Sequence, residues 1–292
     1  MALRVALIAD IHHGEDRDTK LGSAALPLLA RFRDFVAEAG VDLVVELGDR
    51  INDVDPETDR RLTRDVGDAF APMNTRRAHL LGNHDNHALA RAEAEAAMGV
   101  SFASWSCDIE GHHLVFWNAE TCLLGRDGFE LPAADLAWLE DDLARTDLPT
   151  IVCTHVPLDN GSMIGNYYFE SQYRGLAHYR NGDQARDVIE RSGKVVLCLA
   201  GHAHWNALNT IDGIPYVTIQ SLTESFTTPG RACGAFGLLE IDEAIDISVL
   251  GLDPIRLRLP LRRLGTHWHS VTRDFAPPPP VRAARFAPSP SD

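Results

Sequence analysis

The sequence predicts a layered α/β domain, with sheet inside and helices outside. Short apolar runs recur along the chain, stretches with apolar residues at helical spacing separate them, and a polar cluster follows directly on five of the runs.

The runs 3–9, 43–47, 78–81, 114–118, 151–154 and 195–200 are short and rich in Leu, Val and Ile, and read as buried strands. Between the first two, residues 21–39 carry Leu21, Ala25, Leu28, Leu29, Phe32 and Phe35 on one helical face. Residues 56–70 and 87–98 follow as helices, 133–144 presents Leu136, Leu139 and Leu143 on one side, and 183–191 precedes the sixth run. Past residue 205 the pattern turns to short strands, at 207–211, 216–219, 235–241 and 247–250, with Asp212-Gly213 as a hairpin signal. These strands are expected to complete a second sheet. Residues 1–275 are thus read as one domain, and the Pro-rich 276–292 as a disordered tail.

The chain has 292 residues, 27 Lys+Arg against 42 Asp+Glu, and a net charge of −15. That balance speaks against a grip on long nucleic acid, which needs clustered basic residues. No apolar run reaches the ~18–20 residues that cross a bilayer. The first strand leads straight into Asp10 and His12 rather than a cleavage site, so the expectation is a soluble cytoplasmic protein with no membrane partner. Five scattered cysteines, without a CxxC, read as plain thiols.

The chemistry lies in the five polar clusters: Asp10-Ile11-His12, Gly48-Asp49, Gly82-Asn83-His84-Asp85, His155 and Gly201-His202-Ala203-His204. Ligands of α/β sheets gather beyond the carboxyl ends of the strands, so these clusters should converge. Carboxylates, imidazoles and one amide form an N/O donor set suited to Mn, Fe, Zn or Co rather than a thiolate site. Singly, such residues are most often turn formers, helix caps or surface histidines; jointly, in this context, they point to metal.

In this order the clusters resemble the motifs of the calcineurin-like metallophosphoesterases, over residues 10–204. The segment with Asp135, Leu136, Trp138 and Leu139 also resembles a helix of bacterial members. The resemblance implies two mixed β-sheets packed as a sandwich flanked by helices, four layers αββα, around two metal ions. It implies Asp10, His12 and His204 on the first ion, Asn83, His155 and His202 on the second, and Asp49 bridging them. His84, oriented by Asp85, is expected to face the phosphoryl or departing oxygen. The implied reaction is hydrolysis of a small phosphodiester, of cyclic-nucleotide or glycerophosphodiester type, by a hydroxide that bridges the metals. A phosphomonoesterase is the alternative, and a non-catalytic metal-binding scaffold a third.

Further residues are expected around this centre. The connection 158–180 is long enough to be functional, and its Tyr168, Arg174 and His178 are candidates for substrate binding, as is His87. Its tyrosines could instead pack the loop or join two copies in a homo-oligomer. Residues 221–228 could add a rim. Arg50, where many relatives have an apolar residue, is read as pairing with Glu46, although it could reach phosphate. Asn52 and Asp53 either support Asp49 or cap the next helix. His13 is expected at the rim or on the surface, His112 and His113 solvated in a hairpin turn, and His267-Trp268-His269 off the metal site.

Overall fold

The computed structural model describes residues 2–123, 125 and 128–268. The proposed tail 276–292 and His269 lie outside the described residues.

Five helices and twelve strands are described. The first half runs β1 (Leu3–Ile8), α1 (Ala25–Ala39), β2 (Leu43–Glu46), α2 (Pro56–Phe70), β3 (Arg76–His79), α3 (Arg91–Met98), β4 (Trp105–Ile109), β5 (His112–Phe116) and α4 (Ala133–Ala144). The second half runs β6 (Thr150–Cys153), α5 (Gly182–Ser192), β7 (Val195–Ala200), β8 (Ala207–Ile211), β9 (Ile214–Thr218), β10 (Phe236–Ile241), β11 (Ala244–Leu250) and β12 (Ile255–Pro260).

Local chemistry explains the boundaries. Helix α2 starts where the Asp55 carboxylate accepts the Glu57 and Thr58 amides, with Pro56 at the first helical position, where its missing N–H is no loss. Helix α1 stops at Gly40, whose φ of 62° is a left-handed cap that suits glycine.

The strands form two six-stranded sheets, ordered β12-β11-β10-β1-β2-β3 and β4-β5-β6-β7-β9-β8. Both are mixed. β1, β2 and β3 run parallel, as do β5, β6, β7 and β9, while β10–β12, β4 and β8 pair antiparallel. Alternate side chains of each sheet meet between them: Leu3, Val5 and Leu7, with Leu43 and Val45, pack in one cluster with Leu114, Phe116, Ile151 and Leu197. The other face of the first sheet (Ala6, Ile8, Val44) packs on Leu29, Phe32, Val66 and Phe70 of α1 and α2. The other face of the second sheet (Val115, Val152) packs on Leu139, Leu143 and Ile189 of α4 and α5. The order of layers is αββα, as expected.

The differences from the sequence reading are local. β3 begins two residues early, and α3 begins at Arg91 instead of residue 87. Strands β4 and β12 were not expected. β12 has a plain signal, Ile255, Leu257 and Leu259 alternating with Arg256 and Arg258. β4 has none as clear, because its residues are only part-buried. His113 corrects another expectation. It sits on β5, past the turn and nearly buried, with its ring between Asp108 Oδ1 (2.6 Å) and Asp142 Oδ2 (3.0 Å). Those two carboxylates, one of them from α4, draw it out of solvent.

Candidate metal centre

Each of the five clusters lies just past the carboxyl end of a parallel strand: Asp10 and His12 after β1, Asp49 after β2, Asn83 after β3, His155 after β6, and His202 and His204 after β7. The chain turns sharply there. Asp10, His12, Asp49, His202 and His204 all have φ between 46° and 68°. Left-handed backbone is uncommon for residues with a side chain and clusters at functional sites. The turns are tied across strands: Asp10 and His12 amides donate to the carbonyls of Gly48 and Asp49, and the Gly201 amide to that of His155. The glycines are needed for close approach. A Cβ on Gly82 would lie 2.0 Å from Asp49 Oδ1, and one on Gly201 would lie 2.6 Å from Asp10 Oδ2.

Two groups of donors result. In one, Asp10, His12, Asp49 and His204 bring ligand atoms within 4.8 Å of one another; in the other, Asp49, His155 and His202 do so. Asp49 belongs to both. All six residues are buried. His12 Nε2 and His204 Nε2 face each other at 2.9 Å, although 192 positions separate them. His204 Nε2 is 3.5 Å from Asp10 Oδ1, and His155 Nε2 is 3.4 Å from Asp49 Oδ2 and 3.3 Å from Asn83 Oδ1.

Three of the imidazoles are oriented from behind. His155 Nδ1 donates to the Leu47 carbonyl (2.8 Å), His202 Nε2 to that of Leu176 (2.7 Å), and His204 Nδ1 to the Glu224 carboxylate (2.8 Å). With one nitrogen spent in this way, the other is left to ligate, the arrangement that fixes tautomer and ring angle at metal sites.

Electrostatics also fit a cation. Burial, with the positive charges of Lys20 and His204, holds His12 well below the ordinary imidazole range, and burial beside His155 does the same to His202. Burial opposes charge on His155 and His204 too, but carboxylates outweigh it. Asp49 pushes His155 up to about 9, and hydrogen bonds to Asp10 and Glu224 push His204 up to about 9. Against its own burial, Asp49 is held well below the carboxylate range by His155, His84 and His12. Converging carboxylates thus hold protons where a metal cation would replace them. The residues present fit two ions.

His84 lines the same space, and its amide donates to Asp49 Oδ1 at 2.8 Å. Its Nδ1 is hydrogen-bonded to Asp53, not to Asp85 as the sequence suggested. Asp85 turns inward. Its carboxylate accepts the amides of Gly82 (2.8 Å), Asp49 (2.9 Å) and Arg50 (2.8 Å) and pairs with the Arg50 guanidinium at 3.0 Å. Arg50 is fully buried and also pairs with Glu46 at 2.8 Å, so it does not reach the cavity. The adjacent position in sequence had pointed to Asp85, but successive side chains diverge, and Asp53 arrives from the β2–α2 connection.

A cavity of about 280 Å³ opens on Asp49, Asn83, His84, His202 and His204. Its other walls are Leu123, Phe129 and Leu176, the aromatic Tyr168, Phe169 and Tyr173, and the turn holding Arg17, Asp18 and Lys20. Of the residues expected to bind substrate, Tyr168 is in this lining. Arg174, His178 and His87 are not. Arg174 is exposed with its Nε on the Glu170 carbonyl, His87 is exposed, and His178 packs under the loop near Asp159 and Arg186. The sequence reading missed Arg17, Lys20 and Phe129. It also left Asp53 between two roles and named Glu224 only within a rim segment. Their one signal was position, within ten residues of a motif for Arg17, Lys20 and Asp53.

The comparisons with known proteins agree with this geometry. A family model described as calcineurin-like phosphoesterase matches residues 3–206. No curated protein matches the chain. Among solved structures, the chain is similar to a dimetal phosphatase from Danio rerio (16% identity, TM-score 0.69, covering 89% of this chain and 99% of that one). It is similar to purple acid phosphatase PPD1 from yellow lupin seeds (16% identity, TM-score 0.61, 88% and 54%). It is also similar to GAP50, the anchor in the inner membrane complex of Plasmodium (15% identity, TM-score 0.55, 91% and 90%). At such identities these structures speak for the fold. Together with the family match over residues 3–206, they show that the chain belongs to the calcineurin-like phosphoesterase family.

Proposed function

We propose that the chain is a metal-dependent phosphodiesterase acting on a small diester, of the cyclic-nucleotide rather than the glycerophosphodiester type. The cavity carries this reading. At about 280 Å³ it lies near the lower end of small-molecule sites, roughly 300–1,000 Å³. Its apolar walls come from two separate packing clusters, Leu123 and Phe129 in one, Tyr168, Phe169 and Leu176 in the other. Two such walls suit a phosphorus with two ester substituents, and the aromatic residues suit a base.

Asp10, His12, Asp49 and His204 would hold one ion, and Asp49, Asn83, His155 and His202 the other, with Mn, Fe, Zn or Co suited to the donors. When bound, such a pair supplies Lewis acidity toward the phosphate oxygens and activates water for attack. His84, with Nδ1 held by Asp53, offers its remaining ring nitrogen to the departing oxygen. Phe129, Phe169 and Leu176 keep water from the reacting group. The complete donor set speaks against a scaffold role. The five free cysteines support a reducing, cytoplasmic setting, and no helix among the described residues is long and apolar enough to cross a membrane.

A phosphomonoesterase is the second reading, favoured by the presence of two cations, Arg17 and Lys20, in one small cavity. The test is hydrolysis of bis(p-nitrophenyl) phosphate and p-nitrophenyl phosphate side by side, on metal-stripped protein restored with Mn, Fe, Co, Zn or Mg. Faster diester cleavage that needs added metal is the expected result. A clear monoester preference would select the second reading. No turnover of either, with two ions bound, would count against both.

A further inference from the structure

The chain has two lysines, Lys20 and Lys194. Lys20 is 5% exposed, yet its ammonium has no hydrogen-bond or ion-pair partner among the described residues, only the face of the Tyr168 ring at 5.7 Å. Asp49, Asp53 and Glu224 act on it only through space, so its N–H donors remain unspent, and unspent charged donors facing a cavity call for an acceptor there. The surrounding backbone holds it there deliberately. Arg17 and Lys20 close a turn on each other through two 2.9 Å amide–carbonyl bonds, with Asp18 at φ 53°. The Thr19 carbonyl accepts Ser225 Oγ at 2.6 Å, the Thr19 hydroxyl meets Tyr168 Oη at 2.7 Å, and the Leu21 amide donates to Thr223. The neighbouring Arg17 is committed elsewhere, to the Asp53 carbonyl at 2.9 Å. Lys20 lines the cavity together with Asp49, His84, His202 and His204. Once cations occupy the donor groups, the cavity has positive charge on both sides, and only an anionic group between them relieves it.

We propose that Lys20 binds the phosphoryl group of the substrate, supplying its one protein cation at the reacting centre. The inference rests on the cavity being a phosphoester site, and holds for diester and monoester alike. The ammonium donates to a non-bridging oxygen, and the Tyr168 ring keeps it aimed.

The probe is inorganic phosphate, titrated calorimetrically into the full chain loaded with Mn, for wild type and Lys20→Met. Loss of a charge-assisted hydrogen bond should weaken phosphate binding ~10-fold or more. In phosphate-free buffer Lys20→Met should melt at or above the wild-type temperature, since it removes no hydrogen bond or ion pair and spares the burial of an ammonium, the effect that dominates at this lysine. A merely structural lysine would lower it. A second measurement needs no variant: phosphate should slow acetylation of Lys20 in the loaded wild type, read by mass spectrometry, with Lys194 as the internal control. Undiminished phosphate binding by the variant, a lowered melting temperature, no phosphate binding by the wild type, or unprotected Lys20 would each overturn the proposal. Failure to cleave bis(p-nitrophenyl) phosphate while these outcomes hold would tell against the diester reading alone.

Discussion

Glu224 accepts the Nδ1 proton of His204 at 2.8 Å, and so leaves the opposite nitrogen of that ring facing Asp10 and His12. Glu224 is itself fully buried, and its other oxygen accepts the amides of Ser225 and Phe226. It cannot turn away without stranding them. Replacing Glu224 with Gln keeps the volume and removes the charge behind the ligand. We expect metal affinity at the Asp10–His12–His204 group to fall by about 10–100-fold. Competition with a metal-binding dye would measure it, and circular dichroism should be unchanged. An unaltered affinity would mean that Glu224 does not orient this imidazole.

Asp53, not Asp85, is the partner whose loss should reach His84. Asp53→Ala frees the His84 ring without touching a donor group, so kcat should fall by about 10–100-fold, a part of the 10²–10⁴ that positioned proton transfer supplies. Bound metal, counted by mass spectrometry, should stay the same. If Asp53→Ala turns over at the wild-type rate, His84 does not depend on this partner.

Arg50 tests the buried charge network. Its guanidinium sits between Glu46 and Asp85 with no exposure, and stacks on Phe102 with 4.6 Å to the ring centroid. Arg50→Met leaves two carboxylates buried without their cation, and breaking a buried pair in this way costs about 3–5 kcal/mol. Urea unfolding of the metal-free protein would read it, and a loss below ~1 kcal/mol would refute the network's role.

The imidazoles set a pH dependence for metal uptake. His155 and His204 stand near 9 in the metal-free protein, above the ordinary 6.5, because Asp49, Asp10 and Glu224 favour their charged forms. Below that pH each holds a proton that an incoming cation must displace. Affinity should therefore rise with pH throughout the range below about 9, by about tenfold per unit for each proton released, and level off above. Calorimetry in buffers of different ionisation enthalpy counts the protons. A flat profile over this range would sink the prediction.

Much of this was legible in the sequence, because the candidate metal-site residues are tied to strand ends. A strand shows as an apolar run, and a donor directly behind it has little choice of place, which is why Asp10, Asp49 and His155 could be assembled from text. The partners of these residues were not legible. Asp53, Lys20 and Glu224 are placed by turns and by pairing between distant segments, such as the antiparallel backbone β-bridge between residues 20 and 224, and no periodicity encodes such pairing. Arg174 and His178 failed for the related reason that a long loop's composition does not say which of its faces turns to the cavity.

The donors are divided between the two sheets. Asp10, His12, Asp49 and Asn83 follow strands of the first, and His155, His202 and His204 follow strands of the second. An ion held at either group is thus a rivet driven through the seam of the sandwich. Any slip of one sheet against the other stretches ligand distances, so catalytic competence and the mechanical integrity of the domain would be lost, or regained, in the same event.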